Sequence, residues 1–584
     1  MRSSKKLLAC MLAALNIGAI FSSFPVLSAS AEEEGCCCEM PYVSQEEIDA
    51  YKAHFASKNS DSISKIQQYS TQSLPSSVDL STSPYFPPIG NQQQVGSCVA
   101  WSTTYYQFTF AANKLNNITS TESTAYSPRW VYNWLNGGNT GNGISFFNAY
   151  YVLEHQGCLT MSECPYMNNG SYDTSISTNT EAMVRALNTR LTYYNDIILN
   201  TKTNPITSPT DTDLNQIKAL LNSGYILQVS TDWNHNYKRT TGTVSPNEWA
   251  IYECHFGDGH AMSVVGYNDN IQCDINGNGI IEEGEKGAFK VANSHGTGYR
   301  NNGFVWVMYD ALNETSRYAS NVDRIPVFYG VCGWEENQFN YIEVGNQPVN
   351  TVALLDINTS NIYNYIIETT SSDSVLYEKA EKYTVYDGRR SKYWLSGRQK
   401  IPFNGVLAFD YGALDEPASN FTSKIKNILG LHITKRSDTD STETISKLTI
   451  CDNKMNTIYT TNTLLNIQNS NLFKCRRINL SKGDLNYDNI LTSDDATILL
   501  RFLAEQIAFS DMQFYLADMN GDNAVSVVDL TALRKLLPTN EQAALLENMN
   551  EIYNNMSIEE KAAYSNMFSE IERSIKVDIN STIE

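Results

Sequence analysis

The sequence predicts a chain of several domains: mixed helix and strand over 74–330, an all-β region over 335–479, a small helical module over 480–538 and a helical tail over 539–584. Three observations carry that prediction. The 584 residues exceed what a single hydrophobic core serves. From about Glu335 to Asn479, short β-rich runs alternate with Asn, Ser, Asp and Gly turns. Between Asp484 and Leu537 one unit occurs twice, a loop of oxygen-bearing side chains leading into an apolar helix-like segment.

The N-terminus reads as an export signal over 1–31. Lys5 and Lys6 precede an apolar run from Leu7 to Ile20, and Ala29-Ser30-Ala31 supplies a small-residue cleavage site. Leu7-Leu8-Ala9-Cys10 opens that run rather than following it, which argues against a lipidated cysteine. No later segment has the apolar length of a membrane span, so an exported, soluble protein is expected. Residues 32–73 are polar, a pro-segment or a linker, with helical character from Gln45 to Tyr69. The net charge of -21 argues against nucleic-acid binding, which needs basic patches. Setting Cys10 and Cys98 aside, the 12 cysteines leave an even number, with Cys158/Cys164 and Cys451/Cys475 as plausible disulfides. Cys36-Cys37-Cys38 cannot all pair locally.

The chemistry concentrates in Asn91-Gln92-Gln93-Gln94-Val95-Gly96-Ser97-Cys98-Val99-Ala100-Trp101-Ser102. Cys98 opens a helix-like segment running to Leu115, where the positive end of the helix dipole favours thiolate over thiol. Gln92, six residues upstream, is placed to aim an amide at charge developing on an attacked carbonyl. Downstream, Gly259-His260-Ala261-Met262 leads into strand-like Ser263–Tyr267, and Val291-Ala292-Asn293-Ser294-His295-Gly296 follows. A lone Cys98 would read as a buried structural thiol. Histidine titrates near neutral pH and exchanges protons with a thiol, and an asparagine orients its ring without adding charge.

Cysteine, histidine and asparagine in that order, with Leu74-Pro75-Ser76-Ser77-Val78-Asp79 ahead of them, resemble the papain-like cysteine peptidases from about Leu74 to Gly330. The resemblance implies an α+β peptidase domain acting on polypeptide. It also implies Cys98 as nucleophile, His260 as base and acid, Asn293 as orienting residue and Gln92 in the oxyanion hole. Three positions depart from the family. Val95 stands in place of a half-cystine, Val99 in place of a tryptophan, and His295 in place of the tryptophan that shields the Asn–His hydrogen bond. The last change predicts a more solvated Asn293–His260 contact. The glycine-rich run Gly137 to Gly143, ahead of a helix over Phe146–His155, is either a plain turn or a backbone edge for extended substrate.

Asp274-Ile275-Asn276-Gly277-Asn278-Gly279-Ile280-Ile281-Glu282-Glu283-Gly284-Glu285 fits an EF-hand calcium loop. Asp274, Asn276, Asn278, the Ile280 carbonyl, Glu282 and Glu285 would be its ligands, bracing the strands of His260 and Asn293. In the β-rich region the strands are expected at Thr351–Ile357, Tyr363–Glu368, Val406–Phe409, Leu429–Thr434 and Lys447–Ile450, as a sandwich. Its Tyr383, Tyr386, Tyr393 and Trp394 are either core or a carbohydrate or peptide surface.

In the repeated unit, Asp484, Asn486, Asp488, Thr492 and Asp495, then Asp518, Asn520, Asp522, Ser526 and Asp529, put oxygen at loop positions one, three, five, nine and twelve. Asn489 and Asn523 take position six, where left-handed backbone is tolerated. Helices are expected at Ala496–Gln506 and Leu530–Leu537. Paired loop–helix units ending in Asp resemble a dockerin, which implies calcium, a cohesin partner on a scaffold and an extracellular cellulosome. Positions ten and eleven would meet the cohesin: Ser493-Asp494 in one copy and Val527-Val528 in the other. A polar and an apolar pair present different surfaces, implying one dominant orientation. The tail shows capping boxes at Thr539…Gln542 and Ser557…Glu560, with helical spacing of Leu545, Met549, Ile552, Met556, Met567 and Ile571. Two other readings stay open: a catalytically weak papain-like binding module, or a carbohydrate-associated accessory protein.

Overall fold

The computed structural model describes residues 49, 52, 53 and 55, then 74–316 except 177 and 178, and, with gaps, 318–581. The expected export signal over 1–31, Cys36-Cys37-Cys38, Tyr393, Trp394, Cys475 and Asn489 lie outside the described residues, as do the side chains of Tyr383 and Tyr386.

The first domain is built on one large sheet. Its strands are β1 (Ser77–Asp79), β2 (Thr189–Leu199), β3 (Leu227–Asp232), β4 (His235–Arg239), β5 (Trp249–His255) and β6 (Gly259–Gln272). They continue with β7 (Lys286–Ala292), β8 (Phe304–Met308), β9 (Arg324–Ile325), β10 (Tyr329–Gly330) and β11 (Gly333–Asn346). The order is β10-β11-β3-β6-β7-β8-β5-β4, with β1 added to β6, β2 to β11 and β9 to β5. β3, β6 and β7 carry near-continuous buried side chains, as central strands covered on both faces require. β11 pairs with β2 from Asn337 to Asn346. The sheet therefore continues past Glu335, where the composition changes; a boundary drawn at 330–335 would cut through it.

Helices cover this sheet. One opens at Cys98 (Cys98–Ala100), passes through a π-helical stretch (Trp101–Phe108) and resumes as α-helix over Thr109–Asn116. The hydroxyls of Ser102 and Thr103 bond back to the Val99 carbonyl, competing with the regular ladder at the start of that stretch. The helix Phe146–His155 has the expected bounds, and the Ser145 hydroxyl accepts the Phe147 N–H at its start. Ahead of the domain, Phe55 is 1% exposed and meets Tyr193 and Tyr194 edge-on, while Lys52 pairs with Asp196 at 2.8 Å. The segment before Leu74 is thus docked on β2 at these two residues.

Cys158 and Cys164 do not form the disulfide that their spacing suggested. Both are free and buried, and the Cys158 thiol donates to the Ser127 and Leu159 carbonyls instead. Cys451 is also free.

The β-rich region forms two antiparallel sheets. One contains β12 (Thr351–Thr359), β15 (Phe403–Asp410), β17 (Thr444–Asp452), β18 (Thr457–Thr461) and β19 (Leu465–Asn466). The other contains β13 (Tyr365–Ser372), β14 (Glu381–Asp387), β16 (Ile428–Lys435) and β20 (Ser470–Lys474). Arg190 of β2 pairs with Asp410 of β15, tying this region to the first domain.

The repeated unit gives helices Ser493–Leu503 and Val527–Arg534, earlier in the chain than expected because Thr492 and Ser526, not the apolar residues, cap them. A third helix, Asp511–Ala517, lies between them. The tail is two helices, Thr539–Asn555 and Ile558–Ser581. The Ser557–Glu560 box forms, but Pro538, not Thr539, occupies the first N-cap and gives no side-chain bond.

Arg324 and Asp310 form a buried pair at 3.2 Å, 4% and 3% exposed, beside the end of the sheet. Burial raises the Asp310 carboxyl and Arg324 opposes that rise. Arg324→Ala strands a buried carboxylate and should cost about 3–5 kcal/mol. Urea unfolding of the full chain checks this; a loss under 1 kcal/mol would show that water reaches Asp310.

Candidate active site and calcium loops

The register of β6 with β7 builds the centre of the site. Ser263 faces Ala292 and Val264 faces Val291, so the next residue, Asn293, falls opposite Met262. Side chains alternate faces along a strand, which puts Asn293 and His260 on one face as diagonal neighbours. His260 Nε2 lies 2.9 Å from Asn293 Oδ1, leaving Nδ1 for the other side of the ring. The helix opening at Cys98 packs on β6, and its π-helical continuation packs on β3 and β6. Cys98, His260 and Asn293 are 0%, 1% and 0% exposed.

Gln92 sits in the same buried cluster. Its Oε1 accepts from the Ser294 hydroxyl at 2.6 Å and its backbone N–H donates to the Ser294 carbonyl at 2.7 Å. One N–H of its Nε2 goes to the Val95 carbonyl at 2.9 Å. The Tyr166 hydroxyl, 2.6 Å from Ser97 Oγ, donates to the Gln92 carbonyl and holds the turn before Cys98. Gln92 is therefore joined to Ser294, the neighbour of Asn293, and His260 to Asn293, while the helix that opens at Cys98 packs on the strand of His260.

Other side chains here were not legible as site residues. The Tyr106 hydroxyl, from the π-helical stretch, donates to the Asn293 carbonyl at 2.7 Å. Trp233, half-buried between β3 and β4, stands edge-on to His260 with ring centres 4.6 Å apart and tilted against His295 at 5.0 Å. The expectation of a solvated Asn293–His260 bond is thereby corrected. His260 and Asn293 are both buried although residue 295 is a histidine. His235 approaches the Thr231 hydroxyl at 2.7 Å and the Tyr237 hydroxyl at 3.2 Å. Burial, then the charge of His260, pushes His295 down to about 3; burial first, then His260, Arg300 and His255, does the same to His235. Both rings are neutral at neutral pH and place no second charge beside His260.

The three predicted calcium loops share one backbone arrangement. The carboxylate at position twelve accepts the N–H groups of positions two, three and nine: Glu285 from Ile275, Asn276 and Glu282. Asp495 does so from Leu485, Asn486 and Thr492, and Asp529 from Met519, Asn520 and Ser526. The first-position Asp274, Asp484 and Asp518 accept N–H groups from within their own loops. Position four as well as six turns left-handed: Gly277 and Gly279, then Gly521 and Asn523, and Tyr487 at position four of its loop. Among the described residues no three His, Cys, Asp or Glu side chains converge into a metal cluster. The donors are mixed carboxylate, amide and hydroxyl oxygens, the set calcium takes. Glu282 Oε2 is buried without a hydrogen-bond partner, an orphan a cation would satisfy.

Of the four residues predicted to meet a partner, Val528 is 61% exposed and Asp494 is exposed. Val527 is half-buried. Ser493 is 6% exposed, its N–H and hydroxyl both bonded to Glu541 at 2.9 and 2.8 Å.

Residues 74–323 match the family model of the papain family cysteine protease, and residues 482–538 that of the dockerin type I domain. The chain carries a papain-family cysteine protease domain and a type I dockerin domain. No curated protein matches it. Among solved structures it is similar to xylellain, a cysteine protease from Xylella fastidiosa, at 17% identity and TM-score 0.32 over 54% of this chain and 98% of that one. It is also similar to bromelain from Ananas comosus (17%, TM-score 0.29, 46% and 99%). Digestive procathepsin L 3 of Tenebrio molitor larval midgut is a third (15%, TM-score 0.29, 52% and 94%). No described helix of the protease is long and apolar enough to cross a membrane.

The depressed histidines set a pH dependence. A folded value near 3 against about 6.5 unfolded means the unfolded chain binds more protons between them, so stability present above pH 6.5 is lost as pH falls toward 3. Each pH unit in that window is worth about 1.4 kcal/mol per group at most. Melting temperatures of His235→Gln and His295→Gln should fall less steeply than wild type from pH 6.5 to 4; parallel curves would exclude both rings as the source.

Proposed function

We propose that the chain is a secreted endopeptidase in which Cys98 attacks the peptide carbonyl, His260 shuttles the proton, Asn293 orients His260 and Gln92 stabilises the oxyanion. The buried His260–Asn293 hydrogen bond, on the sheet face that the Cys98 helix covers, carries this reading. The Cys98 thiolate adds to the carbonyl carbon, and the oxyanion takes the Cys98 N–H and the second N–H of Gln92 Nε2. The Ser294 hydroxyl on Gln92 Oε1 is what keeps that Nε2 facing the reaction. His260 gives its proton to the leaving amine as the C–N bond breaks, leaving a Cys98 thioester. Water, deprotonated by His260, then adds to the thioester and releases the acid and the thiol.

Cys98→Ala should abolish hydrolysis of casein and fluorogenic peptides. Gln92→Ala should lower turnover roughly a hundredfold, the usual scale for one oxyanion donor. Asn293→Ala should leave a weak, measurable enzyme. Wild-type turnover in Cys98→Ala would refute the assignment.

Calcium bound at Asp274–Glu285 supplies a cation that neutralises Glu282 and Glu285. The residues that would hold it are Asp274, Asn276, Asn278, the Ile280 carbonyl, Glu282 and Glu285, with the two dockerin loops holding the same ion. The loop spans β6 to β7, so it stiffens the connection between the strands that position His260 and Asn293. The dockerin then anchors the enzyme to a cohesin-bearing extracellular scaffold, the cellulosome-type setting that this module suggests. Calcium at a hundred times its dissociation constant stabilises a folded site by about 2.7 kcal/mol. Scanning calorimetry of the full chain should show a calcium-dependent rise in the protease transition that Glu285→Gln removes; a rise kept in that variant would place the ion elsewhere.

A further inference from the structure

Two parts of the molecule carry inferences beyond this reading. The first rests on the proposed proton shuttle. The His260–Asn293 bond works as an orienting device only if water does not compete for it, yet residue 295 beside it is a small polar ring. Trp233 reaches in from the β3–β4 connection, its backbone N–H donating to the Asp258 carbonyl at 2.7 Å, and lies against His260 and His295 together. The Tyr299 ring centre lies 5.9 Å from that of Trp233 and 6.0 Å from that of His295. The titratable groups that face these rings are His295, His235 and Tyr299. We propose that Trp233 is the positioning residue that keeps water from the His260–Asn293 hydrogen bond. It touches no reacting atom, and apolar area rather than charge does the work.

With ¹⁵N-histidine labelling, wild type should show a slowly exchanging Nε2–H resonance for His260. Trp233→Ala should broaden it into exchange with water and lower kcat about tenfold with KM within twofold, while Trp233→Phe should restore most of both. A sharp resonance and unchanged kcat in Trp233→Ala, or loss in KM alone, would overturn the proposal. Inactivity of Cys98 itself in wild type would instead remove the hydrolase reading.

The second inference concerns the dockerin and rests on its calcium loops. The two copies are matched in ligands but not in surroundings. At position four the second copy has Gly521, where an added Cβ would meet nothing within 4 Å. The first copy has Tyr487 at φ 62°, 5% exposed, its hydroxyl donating at 2.7 Å to Asp452, the last residue of β17. A bulky residue in left-handed backbone is unfavourable and persists only where its surroundings hold it. Asn456, in the turn after β17, adds a bond to Gln513, which bonds the Leu485 carbonyl. On the loop's other side, Glu541 takes both Ser493 donors and Asn548 reaches Thr497 at 3.0 Å. We infer that the first loop is an intramolecular joint: ordered by calcium, it fastens the β-rich region at Asp452 and the tail at Glu541. The second copy keeps Val528 and its loop open.

Hydrogen exchange on the full chain separates the loops. Chelation, or Asp484→Ala, should lower protection of 452–456 and 539–556 at least tenfold; Asp522→Ala should not. Tyr487→Phe leaves every calcium ligand in place and should loosen 452–456 while sparing 539–556. Equal effects of the two Asp variants, or full protection of 452–456 in Tyr487→Phe, would overturn the joint. Absence of calcium uptake by wild type in calorimetry would overturn the joint together with the calcium reading.

Discussion

The register of β6 against β7 is the constraint on which the site depends. It decides that His260 and Asn293 share a face, and a shift by one residue would send one of them to the opposite side. The helix that opens at Cys98 is then fixed by packing on the same strand and by Tyr106, whose hydroxyl reaches the Asn293 carbonyl. Cys98, His260 and Asn293 thus stand on elements that are each held by the other two.

The connection between those strands is a twelve-residue loop rich in oxygen-bearing side chains, Asp274 to Glu285, rather than a short turn. Glu285 closes it by accepting three loop N–H groups, and the next residue starts β7. The loop that ends in a carboxylate cap therefore hands its geometry directly to the strand preceding Asn293. The same backbone occurs in both dockerin copies, where the closing Asp lies in the first turn of a helix instead. One local chemistry serves as a strand connector in one domain and as a helix starter in another.

Protection of the histidine illustrates how a lost residue is compensated at a distance. His295 is too small and polar to cover the His260–Asn293 bond, and Trp233 does so from across the sheet's edge. The asymmetry of the dockerin has a similar origin. Tyr487 and Ser493 are engaged by Asp452 and Glu541, residues 35 and 48 positions away, while a Cβ added at the matching Gly521 of the second copy would meet nothing within 4 Å.

By itself the sequence determined what depends on local spacing. Cys98 at a helix start, the helix Phe146–His155, the strands of the β-rich region and the three oxygen-bearing loops are all set by neighbours within about a dozen residues, and the family resemblance supplied His260, Asn293 and Gln92. Tertiary structure decided what depends on contacts between distant segments. It extended the protease sheet through Asn346, kept Cys158 and Cys164 as separate thiols, and brought Trp233 and His235 to the histidine. It also turned one of the two similar oxygen-bearing loops inward. No local pattern encodes those outcomes, because each arises from side chains that only packing brings within reach of one another.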